Sequence, residues 1–201
     1  MLSLAVFVSG RGSNLRSLYY ATTNEEFNAK IKYVIGSKQC QAVDFARSKN
    51  IEVFVLDKRE MLNQYVELRK IFVENNIGLI VLAGFLKKIP DDFVESFEGK
   101  IINIHPALLP LFGGKGMYGM NVHKAVFESG MKVSGATVHF VDKVYDNGKI
   151  IFQKCIDING LNNPDEIARK VLKIEHEILP FVVKKFAENK IIVSENRVII
   201  N

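Results

Sequence analysis

Cysteine is scarce in this chain and tryptophan is absent: the 201 residues hold only Cys40 and Cys155 and no Trp. The two thiols lie far apart and show no CxxC or Cys/His spacing. That excludes a disulfide scaffold and a zinc cluster, and it leaves two reduced thiols of a cytoplasmic protein as the expectation. Long apolar runs are missing as well. The first one, Leu2–Val8, falls well short of the roughly 18 residues that a membrane span needs. No basic leader precedes it, so it reads as a buried strand and not as a signal peptide or anchor. Charge of one sign is also in short supply, with a net charge of +5. Pairs such as Lys87–Lys88 and Lys184–Lys185 read as solvated faces, so neither nucleic acid nor a membrane is an expected partner. The small excess still favours anionic small molecules. Familiar motifs fail too. There is no GxSxG elbow, GxGxxG breaks at Leu15, and no Lys follows Gly12 as a phosphate-binding Walker loop would require.

What is present is an ordinary globular composition, 48% hydrophobic and 24% charged. A chain of this length supports one domain that buries roughly 70% of its unfolded surface. In the first hundred residues, apolar runs at 2–8, 31–35, 51–56, 77–83 and 100–104 alternate with helical patterns. The pattern over 60–75 puts Met61, Tyr65, Leu68, Phe72 and Val73 on one face, and Pro90 opens a short helix to 97. Strands apolar on both faces, separated by helices, predict βαβ units in a parallel sheet with right-handed crossovers. The second half differs. A glycine-rich stretch, LLPLFGGKGMYGMN, precedes a helix near 122–128. Two β-rich runs, 133–141 and 149–158, flank Asp146-Asn147-Gly148, which reads as the turn of an antiparallel hairpin. Asn163-Pro164 with Glu166 caps a long helix that runs to about 188 and is bent or restarted by Pro180. A small hairpin closes the chain. The expected fold class is α/β: a mostly parallel central sheet, antiparallel strands at one edge, and helices on both faces.

Three local patterns carry chemistry. In SGRGSN, Gly10 and Gly12 let the backbone turn tightly after the first strand. Ser13 and Asn14 are placed to cap the next helix and to donate to an anion at its N-terminus. In IINIHPALLP, Asn103 and His105 share one side of a strand because side chains repeat every two residues. They sit at its C-terminal end, where open α/β sheets bind ligands. Asn offers a neutral donor to a carbonyl oxygen, and His offers proton transfer. Asp146 on its own is ordinary turn chemistry; folded over the sheet end it would hold an imidazolium. His139 reads as a packed or supporting residue, while His123 and His176 have no metal spacing.

Together, SGRGSN, VLAGFLKKIP, INIHPALLP, SGATVHFVDKVYDNGKII and IEHEILP resemble, in this order and along essentially the whole chain, the phosphoribosylglycinamide formyltransferase family. The resemblance implies a Rossmann-like formyltransferase fold of one domain, with residues 1–100 a nucleotide- and phosphate-binding half and 101–201 a catalytic and folate-binding half. It implies transfer of the formyl group of 10-formyltetrahydrofolate, a co-substrate, to the amine of glycinamide ribonucleotide in purine biosynthesis, without a metal. The alternative is a formyltransferase of the same superfamily with another amine acceptor. Carried over residue by residue, the family's catalytic groups fall on Asn103, His105 and Asp146. Its phosphate loop falls on Gly12, Ser13 and Asn14, and its nucleotide-binding carboxylate on Glu175. Its folate pocket falls on Arg59, Leu86, Ile89, Val141 and Asp142, with Arg59 in the loosest match. The stretch 111–122 is longer and richer in glycine than the family's compact loop, and it reads as a lid. The resemblance further implies a cytoplasmic monomer or weak homodimer acting on small molecules.

Overall fold

The apolar runs of the first half become five strands: β1 (Leu2–Val8), β2 (Ala29–Gly36), β3 (Glu52–Val55), β4 (Leu79–Leu82) and β5 (Ile101–His105). All pair in parallel. Two more strands follow, β6 (Val133–Phe140) antiparallel to β5 and β7 (Ile150–Asp157) antiparallel to β6, giving one sheet in the order β3-β2-β1-β4-β5-β6-β7. A separate two-stranded ribbon, β8 (Ile191–Val193) with β9 (Val198–Ile200), ends the chain. The computed structural model describes every residue except Glu25, Glu26, Lys58 and Asn196.

Helices cover both faces, as expected. Helices α1 (Ser13–Thr22), α2 (Gln41–Ser48), α5 (Met120–Glu128) and α6 (Pro164–Ala187) share one core cluster with Val6, Val81, Ile102, Ile104 and Val138. Helices α3 (Met61–Glu74) and α4 (Asp91–Ser96) close the other face, against Ala5, Phe7, Ile80 and Ile101. That second cluster is aromatic. Phe7 stacks near Tyr65 and meets the rings of Phe72, Phe85 and Phe93 edge-on. Phe85 comes from the loop after β4, so a core contact fixes that loop and leaves residues 86–88 exposed before Ile89 is buried again in the same cluster.

Two expectations change in detail. Asp146-Asn147-Gly148 is not a two-residue hairpin turn. The ladder closes where the Phe140 N–H donates to the Lys149 carbonyl at 2.9 Å, leaving 141–148 as a longer loop. Asp146 takes φ +54 within it, and a Cβ at Gly148 would lie 1.9 Å from the Phe140 oxygen. Nor does Pro180 restart the last helix, since α6 continues through it. Proline has no N–H for the carbonyl four residues earlier. That carbonyl, on His176, accepts instead from Ser17 Oγ on α1 at 2.8 Å. The N-terminus of α6 follows expectation. Asn163 Oδ1 accepts the Glu166 N–H at 3.0 Å, and the Glu166 carboxylate accepts from Asn162 N and Asn163 Nδ2, a reciprocal cap.

Candidate active site

A cavity of about 740 Å³ opens at the C-terminal ends of β1, β4 and β5. The chain leaves β1 toward β2 on one side, while β4 takes the other. Such a reversal of strand order opens a crevice. Its walls are the loop after β1, residues 82–89 after β4, the end of β5, the glycine-rich segment, the loop after β6 and one face of α6.

At one end stands the start of α1. Gly12 precedes it at φ +76, and a Cβ there would sit 2.5 Å from the Ala42 Cβ. Only glycine fits that turn. The expected side-chain caps do not form. Gly12 is the cap residue and makes no side-chain bond. The Asn14 amide turns instead to α6, where its Nδ2 donates to Glu175 Oε2 at 2.6 Å. A partner from a distant helix has outcompeted the local cap. Both side chains are buried. Burial pushes the Glu175 carboxyl up to about 7, and the Asn14 bond works against it. Asn14 Oδ1 is buried with no hydrogen-bond partner. The first N–H groups of α1 carry the positive end of the helix dipole, and Arg11 lines the cavity beside them.

At the other end, β5 and β6 bring four polar side chains to one face. The ladder pairs Asn103 with His139 and His105 with Thr137. Asn103 and His105 have the parity of Ile101, which faces α3 and α4. Those helices do not reach this far, and two loops roof the face instead. The His105 Nε2–H donates to the Phe112 carbonyl at 2.8 Å, and Nδ1 faces Asp146 Oδ2 at 3.6 Å. The Gly114 N–H donates to the same Asp146 oxygen at 2.8 Å. The other carboxylate oxygen lies 3.6 Å from His139 Nε2, and Asn103 Nδ2 is 3.0 Å from that nitrogen. The His139 Nδ1–H donates to its neighbour's carbonyl, Phe140 O, at 2.7 Å.

A carbonyl only accepts, so these backbone bonds fix both rings. His105 keeps its permanent proton on Nε2 and works through Nδ1. His139 keeps its own on Nδ1 and turns a lone pair toward Asn103. Burial pulls the pKa of His105 below the ordinary value, while the Asp146 charge and the Phe112 bond raise it. His139 is lowered by burial too, against the Phe140 bond and Asp146. His123, on α5, also lines the cavity. Burial and then the nearby His105 bring it down to about 4, so it is neutral above that.

The structure gathers most of the expected residues into this cavity. Asn103, His105, Asp146, Gly12, Ser13, Asn14, Glu175, Leu86, Ile89, Val141 and Asp142 all line it. Asp142 spends its carboxylate on the loop itself, accepting from Val144 N and Asn147 Nδ2. The loop after β4 is tied down where the Leu86 N–H donates to the buried Ser9 Oγ, which also accepts from Ser37 Oγ. Arg59 is not brought in. It lines a smaller depression with Ser37–Gln39 and Val55–Asp57, at the ends of β2 and β3. The expected lid is a folded segment whose backbone at Phe112 and Gly114 completes the network around His105 and Asp146. His139 is a packed, supporting residue as its sequence suggested, buried beside Asn103. The alternation in VHF gives its face, but only the β5–β6 register puts it opposite Asn103. Among the described residues, no three His, Cys, Asp or Glu side chains are grouped to hold a metal ion, and no helix is long and apolar enough to cross a membrane.

The family model described as "Formyl transferase" matches residues 2–183. The chloroplastic phosphoribosylglycinamide formyltransferase of Arabidopsis thaliana is 42% identical over 193 residues, 94% of this chain and 66% of that protein. The phosphoribosylglycinamide formyltransferase of Bacillus subtilis (strain 168) is 34% identical over 189 residues, 92% of this chain and 94% of that one. The crystal structure of phosphoribosylglycinamide formyltransferase from Anaplasma phagocytophilum superimposes with a TM-score of 0.90 at 32% identity, covering 100% of this chain and 93% of that one. The chain spans 66% and 62% of the length of the two plant relatives it matches.

Proposed function

From a chain that belongs to the formyl transferase family, we infer an enzyme that moves the formyl group of 10-formyltetrahydrofolate to the primary amine of glycinamide ribonucleotide, a step of purine biosynthesis. One observation carries the reading. The Asp146 carboxylate lies between His105 Nδ1 and His139 Nε2, beside the Asn103 amide, in the same cavity as an anion-ready helix start. The curated relatives' names support the acceptor.

The chemistry follows from the groups. Attack of an amine on a formyl carbon puts negative charge on the formyl oxygen. A free N–H of Asn103 and a protonated His105 Nδ1 are the donors for it, and one such donor is worth roughly 3 kcal/mol in the transition state. Asp146 offsets part of the cost of burying that proton on His105. Asp146 also accepts a proton from the attacking amine, which passes to the folate nitrogen as its bond to the formyl carbon breaks. The phosphate of the ribonucleotide fits the N–H groups at Gly12–Asn14 with Arg11 beside them. Glu175, together with the unpartnered Asn14 Oδ1, faces the ribose hydroxyls. The folate ring lies against Leu86, Ile89 and the loop 141–146. Residues 1–100 thus carry most of the nucleotide recognition and 101–201 the chemistry, with Leu86, Ile89 and Glu175 crossing that division. The reading makes the protein a cytoplasmic monomer or weak homodimer with small-molecule partners only.

The test is to follow tetrahydrofolate release from 10-formyltetrahydrofolate. Release that requires glycinamide ribonucleotide supports the assignment. Release without an acceptor, or only with a different amine, overturns it.

A further inference from the structure

Two histidines flank Asp146, and their surroundings divide the work between them. The His139 Nδ1 proton is committed to Phe140 O at 2.7 Å. A neutral ring then presents only a lone pair at Nε2. The group opposite on the ladder is Asn103, whose Nδ2 donates to that lone pair at 3.0 Å. The bond orients the amide. One N–H is held by His139, and the second is left for the cavity. A second proton on His139 would remove the acceptor and turn the amide over, so that Oδ1 faced the ring and its N–H groups left their place. Around this ring lie Asp146, at 3.6 Å, with Asp142 and His105 further away. His105 is bound by no such amide. Its Nδ1 faces the carboxylate alone, at 3.6 Å.

We propose that His139 is a positioning residue: protonated only on Nδ1, it holds the Asn103 amide with its remaining N–H toward the reacting oxygen and leaves the mobile proton to His105. This goes beyond the proposed reaction and rests on it for the kinetic test only.

The first measurement is independent of turnover. Nitrogen-15 spectra of the His139 ring, assigned by comparison with His139→Gln, read the tautomer directly. A neutral ring with its proton on Nδ1 at pH 7 is expected, with the Nε2 signal shifting in Asn103→Ala. A proton on Nε2, or a doubly protonated ring, overturns the proposal even if the chain proves to use another acceptor. The second measurement is kinetic. His139→Leu is expected to lose on the order of 10²-fold in kcat, the usual cost of one misplaced oxyanion donor, with both KM values little changed. His139→Gln, which can still accept from Asn103 and donate to Phe140, should recover much of that loss. The double variant His139→Leu/Asn103→Ala should be no slower than Asn103→Ala alone, because the two act as one unit. Losses that multiply, or a normal kcat in His139→Leu, overturn it.

Discussion

The sheet's two parts meet at β5 and use the same face in opposite ways. Across β2, β1 and β4, that face carries Tyr33, Ile35, Phe7 and Ile80, and α3 and α4 seal it into an aromatic core. Across β5 and β6 the same pleat carries Asn103, His105, Thr137 and His139, and only loops cover it. Parallel strands need a helix to return, so each crossover brings its own cover. Antiparallel strands need only a loop, and the loop after β6 delivers Asp146. The change from parallel to antiparallel is thus what turns a core surface into a polar wall of the cavity.

The sharpest way to break this contrast is on the antiparallel side. His105→Ala and Asp146→Ala should each lower kcat by roughly 10²–10⁴-fold while changing KM by far less. Steady-state assays of tetrahydrofolate release measure both, and near-normal turnover in either variant removes the assigned roles. A smaller effect of a different kind is expected where α6 meets the parallel side. The Glu175 carboxyl is pushed from an ordinary value up to about 7 in the fold. The folded chain therefore holds a proton that the unfolded chain releases, and the stability tied to it is lost as pH rises from about 4.5 through 7. Glu175→Gln should flatten that slope and raise Tm at pH 8 by a few degrees, at roughly 2–4 °C per kcal/mol. It should also weaken ribonucleotide binding by calorimetry. An unchanged Tm-against-pH profile would remove the buried-acid assignment. The smallest effect is Ser17→Ala, which leaves the His176 carbonyl without a donor. A loss of about 1 kcal/mol in chemical denaturation is expected, with kcat close to normal; unchanged stability would mean that the bond contributes nothing.

Most of the fold was legible because it is periodic. Continuous apolar runs set between helical faces placed every strand of the sheet within a few residues. The site was legible where one strand carries it, as with Asn103 and His105, or where one turn does, as with Gly12. The sequence was silent where the partner is distant. Nothing local tells Asn14 to abandon a cap for Glu175, because α6 lies far along the chain. Nothing in DNG says that the hairpin closes at Phe140 and Lys149 and leaves a longer loop, because strand pairing sets that length. His139 needed the register, and Arg59 lay in a match too loose to place its side chain.

The missing rung in α6 has a last consequence. A regular amphipathic helix lying in an apolar groove can slide by a turn or roll slightly with little change in buried area. The proline removes one rung at a single height, and only a hydroxyl at the matching height on α1 can fill it. The Ser17–His176 bond is therefore an index mark: it sets the height and roll of a 24-residue rod against its neighbour. Glu175 is next to that mark on α6, and Asn14 lies one turn before Ser17 on α1. The spacing between Asn14 and Glu175 at that end of the cavity is set by a defect and not by the regular part of the helix.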